Sequence, residues 1–167
     1  AAVNTADELA RVLPVIEALQ PFDVPISVDT RKAEVAAAAL DAGADWINDI
    51  SALSEDPAMG PLVADRGCPV VLMHMRGTPR TMQLDVRYTD AVAEVLDYLL
   101  QRSAEARSHG VEGDRIVIDP GIGFGKSPQQ NLQLLRAVPR FVDAGFPVLV
   151  GASRKSFLGA CFAQEPG

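Results

Sequence analysis

Short apolar runs recur along the chain, each preceded by an amphipathic segment that stops near a glycine or proline and each ending in polar residues. Ile26-Ser27-Val28 runs into Asp29, Trp46-Ile47 into Asn48-Asp49, and Val70-Val71-Leu72-Met73 into His74. Ile116-Val117-Ile118 runs into Asp119, and Val148-Leu149-Val150 leads to Ser153-Arg154-Lys155. Between the runs the spacing predicts helices. Thr5 to Leu19 opens with Thr5 and Glu8 at capping-box spacing, and alanine-rich Ala33 to Ala42 ends at Gly43, a left-handed cap. Leu62 to Arg66 stops at Gly67, Thr89 to His109 at Gly110, and Leu132 to Ala144 at Gly145.

Five strands alternating with helices form an α/β protein, and near-continuous apolar runs are what a parallel sheet covered on both faces requires. The length of 167 residues favours an open, doubly wound five-stranded sheet, because a complete (β/α)8 barrel takes about 250 residues. In either architecture ligands bind beyond the carboxyl ends of the strands, where the polar residues of this chain collect. No linker or low-complexity tract divides residues 1–167, and the repeats share no sequence, so the recurrence is architectural within a single domain.

The composition, 48% hydrophobic and 22% charged, is that of a globular domain with a real core. Lys and Arg total 15 against 22 for Asp and Glu, and the net charge of −7 argues against a general nucleic-acid surface. No apolar run approaches the roughly 20 residues of a membrane span. Cys68 and Cys161 sit among apolar neighbours outside any C-x-x-C pair, as buried reduced thiols of a cytoplasmic protein do. The start at Ala1, without methionine, reads as a chain whose upstream part is missing.

The stretch Asp119 to Ser127, DPGIGFGKS, resembles a phosphate loop only superficially. A P-loop needs a glycine five places before its GK[ST] ending, where this chain has Pro120, which has no N–H to give. The dinucleotide spacing G-x-G-x-x-G fails as well. Ser127, Pro128 and Gln130 read as the N-cap, first position and capping-box partner of a helix, which makes Lys126 a surface or helix-start residue rather than a phosphate ligand.

Asp29, Asn48, Asp119 and Lys155 each follow a different strand, so a parallel sheet brings them to one rim. Each of the first three could simply cap the next helix, but a lysine cannot cap an N-terminus. Together, an acceptor-only carboxylate, a two-way amide and a donor-only ammonium can read the edge of a polar heterocycle. His74 and His109 have no cysteine at zinc spacing, and His74 reads as a satisfied strand-end residue. Met73 and Met75 read as packing residues, one of which could floor a pocket. Arg76 to Arg87 is polar and aperiodic, a mobile loop over the rim.

Five motifs in order carry a resemblance: Ile26-Ser27-Val28-Asp29-Thr30, Ile47-Asn48-Asp49-Ile50, Leu72 to Pro79 (LMHMRGTP), Asp119 to Lys126 (DPGIGFGK) and Gly151 to Ser156 (GASRKS). Together they resemble the dihydropteroate synthase family through essentially the whole chain. The resemblance implies a TIM barrel that condenses 6-hydroxymethyl-7,8-dihydropterin pyrophosphate with p-aminobenzoate and releases pyrophosphate. It implies that Asp119 reads the pterin 2-amino and N3 edge, that Asn48 and Asp29 hold the other ring nitrogens, and that Lys155 donates to the pterin oxygen and N5. Met73, Ile50 and Gly151 would line the ring's slot, while Gly123, Phe124, Lys155 and Ser156 would face p-aminobenzoate. The catalytic groups implied are Asp29, Asp119 and Lys155.

Relative to the family pattern the first two strands and the last are absent, so the expectation is an incomplete barrel with about five of eight strands, truncated at both ends. The family's Mg2+ and pyrophosphate groups would then lie outside this chain, leaving no metal ligand within it. Small-molecule substrates and, at full length, a homodimer are the implied partners. Two alternatives stay open: a methyltetrahydrofolate-binding methyltransferase domain, against which Ser153-Arg154-Lys155-Ser156 speaks, and a catalytically inactive pterin-binding paralogue.

Overall fold

A computed structural model describes residues 3–77 and 87–162, with side chains through residue 159. Most of the predicted Arg76 to Arg87 loop, and the side chain of Cys161, therefore lie outside the described residues; Cys68 is buried and free.

Four parallel strands, β1 (Ser27–Asp29), β2 (Trp46–Asp49), β3 (Val70–Met73) and β4 (Ile116–Asp119), lie side by side in sequence order. A doubly wound sheet reverses the direction of strand addition at a switch point, whereas a barrel adds every strand on the same side. Uniform order therefore decides for an arc of a (β/α) barrel over the open doubly wound alternative. The expected fifth strand is a correction. Val148 makes only an isolated bridge to Ile118, with Leu149 N–H donating to Ile118 O at 2.9 Å, and Leu149 and Val150 stay 39% and 38% exposed. A strand needs a ladder, and nothing among the described residues pairs with the far side of this segment.

The helices are α1 (Thr5–Leu19), α2 (Ala33–Asp41), α3 (Met59–Arg66), α4 (Ala91–Ser108), α5 (Pro128–Arg136), α6 (Val138–Val142) and α7 (Ser156–Phe162). The predicted capping box of α1 does not form: Asn4 is the N-cap, its Oδ1 accepting from Asp7 N–H at 2.8 Å. Glu8 is engaged elsewhere, accepting from Thr30 Oγ1 at 2.6 Å and from Lys32 Nζ at 2.7 Å, which ties α1 to the segment after β1. The capping box of α5 does form, with Ser127 N–H donating to Gln130 Oε1 at 2.8 Å and Gln130 N–H to Ser127 Oγ at 3.3 Å. The expected helix Leu132 to Ala144 is divided at Ala137 into α5 and α6, with Pro139, which has no N–H to donate, at the start of the second piece.

Side-chain alternation splits the sheet into two faces. Ile47, Val70, Leu72, Ile116 and Ile118 are fully buried against Met59 and Val63 of α3, Val95 and Leu99 of α4 and Leu134 of α5. Each such side chain contributes about 1.5–3 kcal/mol. The register pairs Asp29 with Asn48, Asn48 with Val71, and Met73 with Asp119, so these residues share the opposite face.

Candidate functional site

Asp29, Asn48, Met73 and Asp119 thus share the non-helical face at the carboxyl ends of four neighbouring strands. The same alternation gives Asp49 a different task. Fully buried on the helix side, its carboxylate accepts from Ser51 N–H at 2.8 Å, Ser51 Oγ at 2.6 Å and Leu53 N–H at 2.9 Å. It thereby holds a turn in which Ala52 and Leu53 are both left-handed, at φ 52° and 63°.

Asn48 Nδ2 donates to Asp29 Oδ2 at 3.3 Å. Asn48 Oδ1 is buried with no hydrogen-bond partner among the described residues, a state that costs about 1–3 kcal/mol unless a donor arrives. Burial and the nearby Asp49 carboxylate raise the Asp29 carboxyl above its ordinary range, against the pull of Arg31 and the Asn48 amide. Beside Asp29 lies a cleft of about 590 Å³ lined by Thr30, Arg31, Lys32 and Glu55. A wider cleft of about 750 Å³ runs between α4 and α5 and contains none of the strand-end residues.

On β4, Asp119 is 6% exposed, and its carboxylate's one hydrogen bond among the described residues is from Gly121 N–H to Oδ1 at 2.7 Å. Burial lifts its pKa from 3.8 to about 6, opposed by the Gly121 N–H and by the charges of Lys126 and Lys155. Lys155 rests on the rim with Nζ 3.9 Å from the centre of the Phe124 ring, a cation–π contact, and burial lowers its pKa against the attraction of Asp119. Gly123 makes room for it: a Cβ there would stand 2.8 Å from Lys155 Cδ. Ile50 is half-buried in the turn after β2, while Gly151 and Ser156 are exposed.

The predicted residues therefore gather in two groups, Asp29 with Asn48 and Asp119 with Gly123, Phe124 and Lys155, with Met73 beside Asp119 in the sheet. Among the described residues no hydrogen bond or ion pair joins them. The arrangement can accept N–H groups at both ends of a flat heterocycle and donate from Lys155 at the rim.

Lys126 corrects the surface assignment. It is 3% exposed, and its Nζ lies 2.8 Å from Phe124 O, 2.9 Å from Gly121 O, 3.2 Å from His74 O and 3.0 Å from His74 Nδ1. Asn131, 1% exposed and also unforeseen, accepts from Gly123 N–H at 2.8 Å and donates to Lys126 O and Ser127 O. His74 is a satisfied residue after β3, as expected; burial first, then the Lys126 charge, push its pKa to about 3, so its ring is neutral. The sequence signal for Lys126 was present in a glycine-rich, lysine-ended loop with no phosphate-loop spacing.

No three His, Cys, Asp or Glu side chains converge as a metal site among the described residues. No helix of the described residues is long and apolar enough to cross a membrane.

Comparison with known proteins follows the same lines. The dihydropteroate synthase of Synechocystis sp. is 46% identical over 163 residues, 97% of this chain and 56% of the relative. That of Escherichia coli is 45% identical over 167 residues, covering 99% and 59%. Among solved structures, Xanthomonas albilineans dihydropteroate synthase in complex with 7,8-dihydropteroate superposes with a TM-score of 0.88 at 46% identity, covering 99% of this chain and 60% of that one. The Yersinia pestis enzyme with a sulfonamide drug gives 0.93 at 41% identity, covering 97% and 59%. The chain thus spans a little over half the length of the curated relatives it matches at this level. Residues 1–166 match the family described as pterin binding enzyme, and the chain belongs to that family.

Proposed function

We propose that these residues form the pterin pocket of a dihydropteroate synthase, which joins p-aminobenzoate to 6-hydroxymethyl-7,8-dihydropterin pyrophosphate. The observation that carries this reading is Asp119, a nearly buried carboxylate at a strand end with only one internal hydrogen bond, from Gly121, among the described residues. Two parallel N–H groups, such as the 2-amino and N3–H edge of a pterin, are the donors such a carboxylate lacks. The orphaned Asn48 Oδ1 accepts a further ring N–H, and Met73, Ile50 and Gly151 line the slot.

In the reaction the p-aminobenzoate nitrogen forms a bond to the exocyclic methylene of the pterin. The methylene C–O bond breaks, pyrophosphate leaves with the electron pair, and the amine loses a proton. Asp29 and Asp119 offset the positive charge that grows on the pterin as the leaving group departs. Lys155 donates to the pterin oxygen and N5, and Gly123, Phe124 and Ser156 face the benzoate. A Mg2+ requirement, a cytoplasmic site of action and a homodimer belong to the same proposal, with no residue of this chain assigned to the metal.

The test is turnover by the full-length protein. Pyrophosphate release that depends on both p-aminobenzoate and the dihydropterin pyrophosphate, with formation of dihydropteroate, is expected. Methyl transfer from methyltetrahydrofolate instead, or pterin binding with no turnover, would overturn the proposal.

Pterin affinity is expected to depend on pH through Asp119. The group is ionised above about 6 and protonated below it, and a protonated carboxyl presents a donor to the ring N–H groups. Affinity should therefore be level above pH 7 and fall about tenfold per unit below pH 6, read by calorimetric titration from pH 5 to 8. The effect on the fold has the opposite sign. A folded pKa above 3.8 means that the stability due to Asp119 is complete at low pH and is lost as pH rises through about 6.

A further inference from the structure

Lys126 is the one buried cation among the described residues, yet it forms no ion pair there. Burial lowers its pKa to about 7, against the attraction of Asp119, and in its charged form the ammonium has three protons to give and four acceptors within reach: the carbonyls of Phe124, Gly121 and His74, and His74 Nδ1. No ammonium proton is left over for a phosphate. The acceptors belong to the two segments that carry the candidate site, the residue after Met73 on β3 and the loop after Asp119 on β4.

The backbone explains why a cation is needed there. Gly121, Gly123 and Gly125 are left-handed, at φ 67°, 82° and 66°. Gly121 O and Phe124 O both point at the ammonium, and the loop's own closing bond is from Phe124 N–H to Gly121 O at 3.0 Å. Asn131 holds Gly123 N–H and the Lys126 carbonyl from the helix side, and Tyr88 Oη donates to Gly125 O at 3.1 Å. Without the ammonium, carbonyls on both segments lose their shared donor, and the loop is free to choose another set of glycine conformations.

We propose that Lys126 is a positioning residue of the pterin and p-aminobenzoate site, a clasp between the ends of β3 and β4 that fixes the 121–125 loop without touching either substrate. Through Gly121 N–H it aims the Asp119 carboxylate. Through Phe124 it sets the ring on which Lys155 rests. By donating to His74 Nδ1 it also selects the neutral tautomer with the proton on Nε2. The inference rests on the proposed function for its ligands, but not for its geometry.

The experiment uses the full-length protein and Lys126→Met, which keeps the volume and removes the donors, with Lys126→Arg as the rescue variant. Calorimetry with 6-hydroxymethylpterin and with p-aminobenzoate gives affinity and stoichiometry separately. The expected result is a folded protein with near-normal stoichiometry and both Kd values raised at least about tenfold, partly recovered in Lys126→Arg. Kd values within twofold of wild type, with only the binding-competent fraction reduced, would make Lys126 a purely structural residue and overturn the proposal. If the Met variant does not fold, Lys126→Gln, which keeps one donor, is held to the same criterion. If the wild-type protein binds neither ligand, the proposed function fails while the clasp is still read directly. Amide exchange at Gly121, Gly123 and Phe124 and the 15N shifts of His74 must then change in the variant, and unchanged values would overturn it.

Discussion

Asp119→Asn is expected to weaken pterin binding by about 3 kcal/mol, on the order of a hundredfold or more, with little loss of stability. The substitution keeps the shape and removes the charge. One amide oxygen can still accept a single N–H, but the NH2 group then faces a second donor, and both are left unpaired in a site where the carboxylate was 6% exposed. The fold loses little because the carboxylate makes one hydrogen bond among the described residues, from Gly121, and because burial already disfavours its charge. Calorimetric titration of the full-length variant with a pterin checks the affinity, and urea unfolding checks the stability. An unchanged Kd would remove Asp119 from the pterin edge.

Gly121→Ala should have the largest effect on the fold itself. A Cβ at this position would lie 1.9 Å from His74 O and 3.3 Å from Lys126 Nζ, and the residue sits at φ 67°. The left-handed conformation alone costs a non-glycine residue about 1–2 kcal/mol. The contact with His74 O cannot be relieved by turning a side chain, because the obstacle is backbone of the neighbouring segment. A total of about 3–4 kcal/mol is expected, in the range of severe single substitutions. Gly151→Ala is the matched comparison: nothing among the described residues lies within 4 Å of its Cβ position, so its stability should stay within about 0.5 kcal/mol of wild type. Denaturant midpoints of the two variants measure the difference, and equal midpoints would refute the crowding at Gly121.

Local patterns in the sequence located most of the elements, and what they missed depends on partners distant in sequence. Glycines at 43, 67, 110 and 145 do end helices in left-handed conformations, because that signal is carried by single residues. The α5 capping box formed between Ser127 and Gln130, whereas Glu8 was drawn to Thr30 and Lys32, more than twenty positions away. Val148 to Val150 has the composition of a strand, but a strand is a relation between segments and its second neighbour is not among the described residues. Asn48 and Asp49 are adjacent and both polar, and only the pleat decides that the first faces the site and the second the helices. Lys126 was the most instructive error. A buried lysine is satisfied here by backbone carbonyls, and backbone carbonyls leave no mark in a sequence.

The uniform order of the four strands also bears on how the molecule comes apart. Among the described residues β1 to β4 pair with one another only as neighbours in the chain, so the arc resembles a row of books, each held by the volumes beside it. The polar residues of the site are dealt out singly, with Asp29 on the first, Asn48 on the second and Asp119 on the fourth, while the third contributes Met73. A flat ligand gripped by β1 and β4 would act as a strap across the row. Its dissociation would be coupled to opening of either strand, and amide exchange in β1 and β4 would slow together when it binds, although among the described residues no strand pairing joins those two directly.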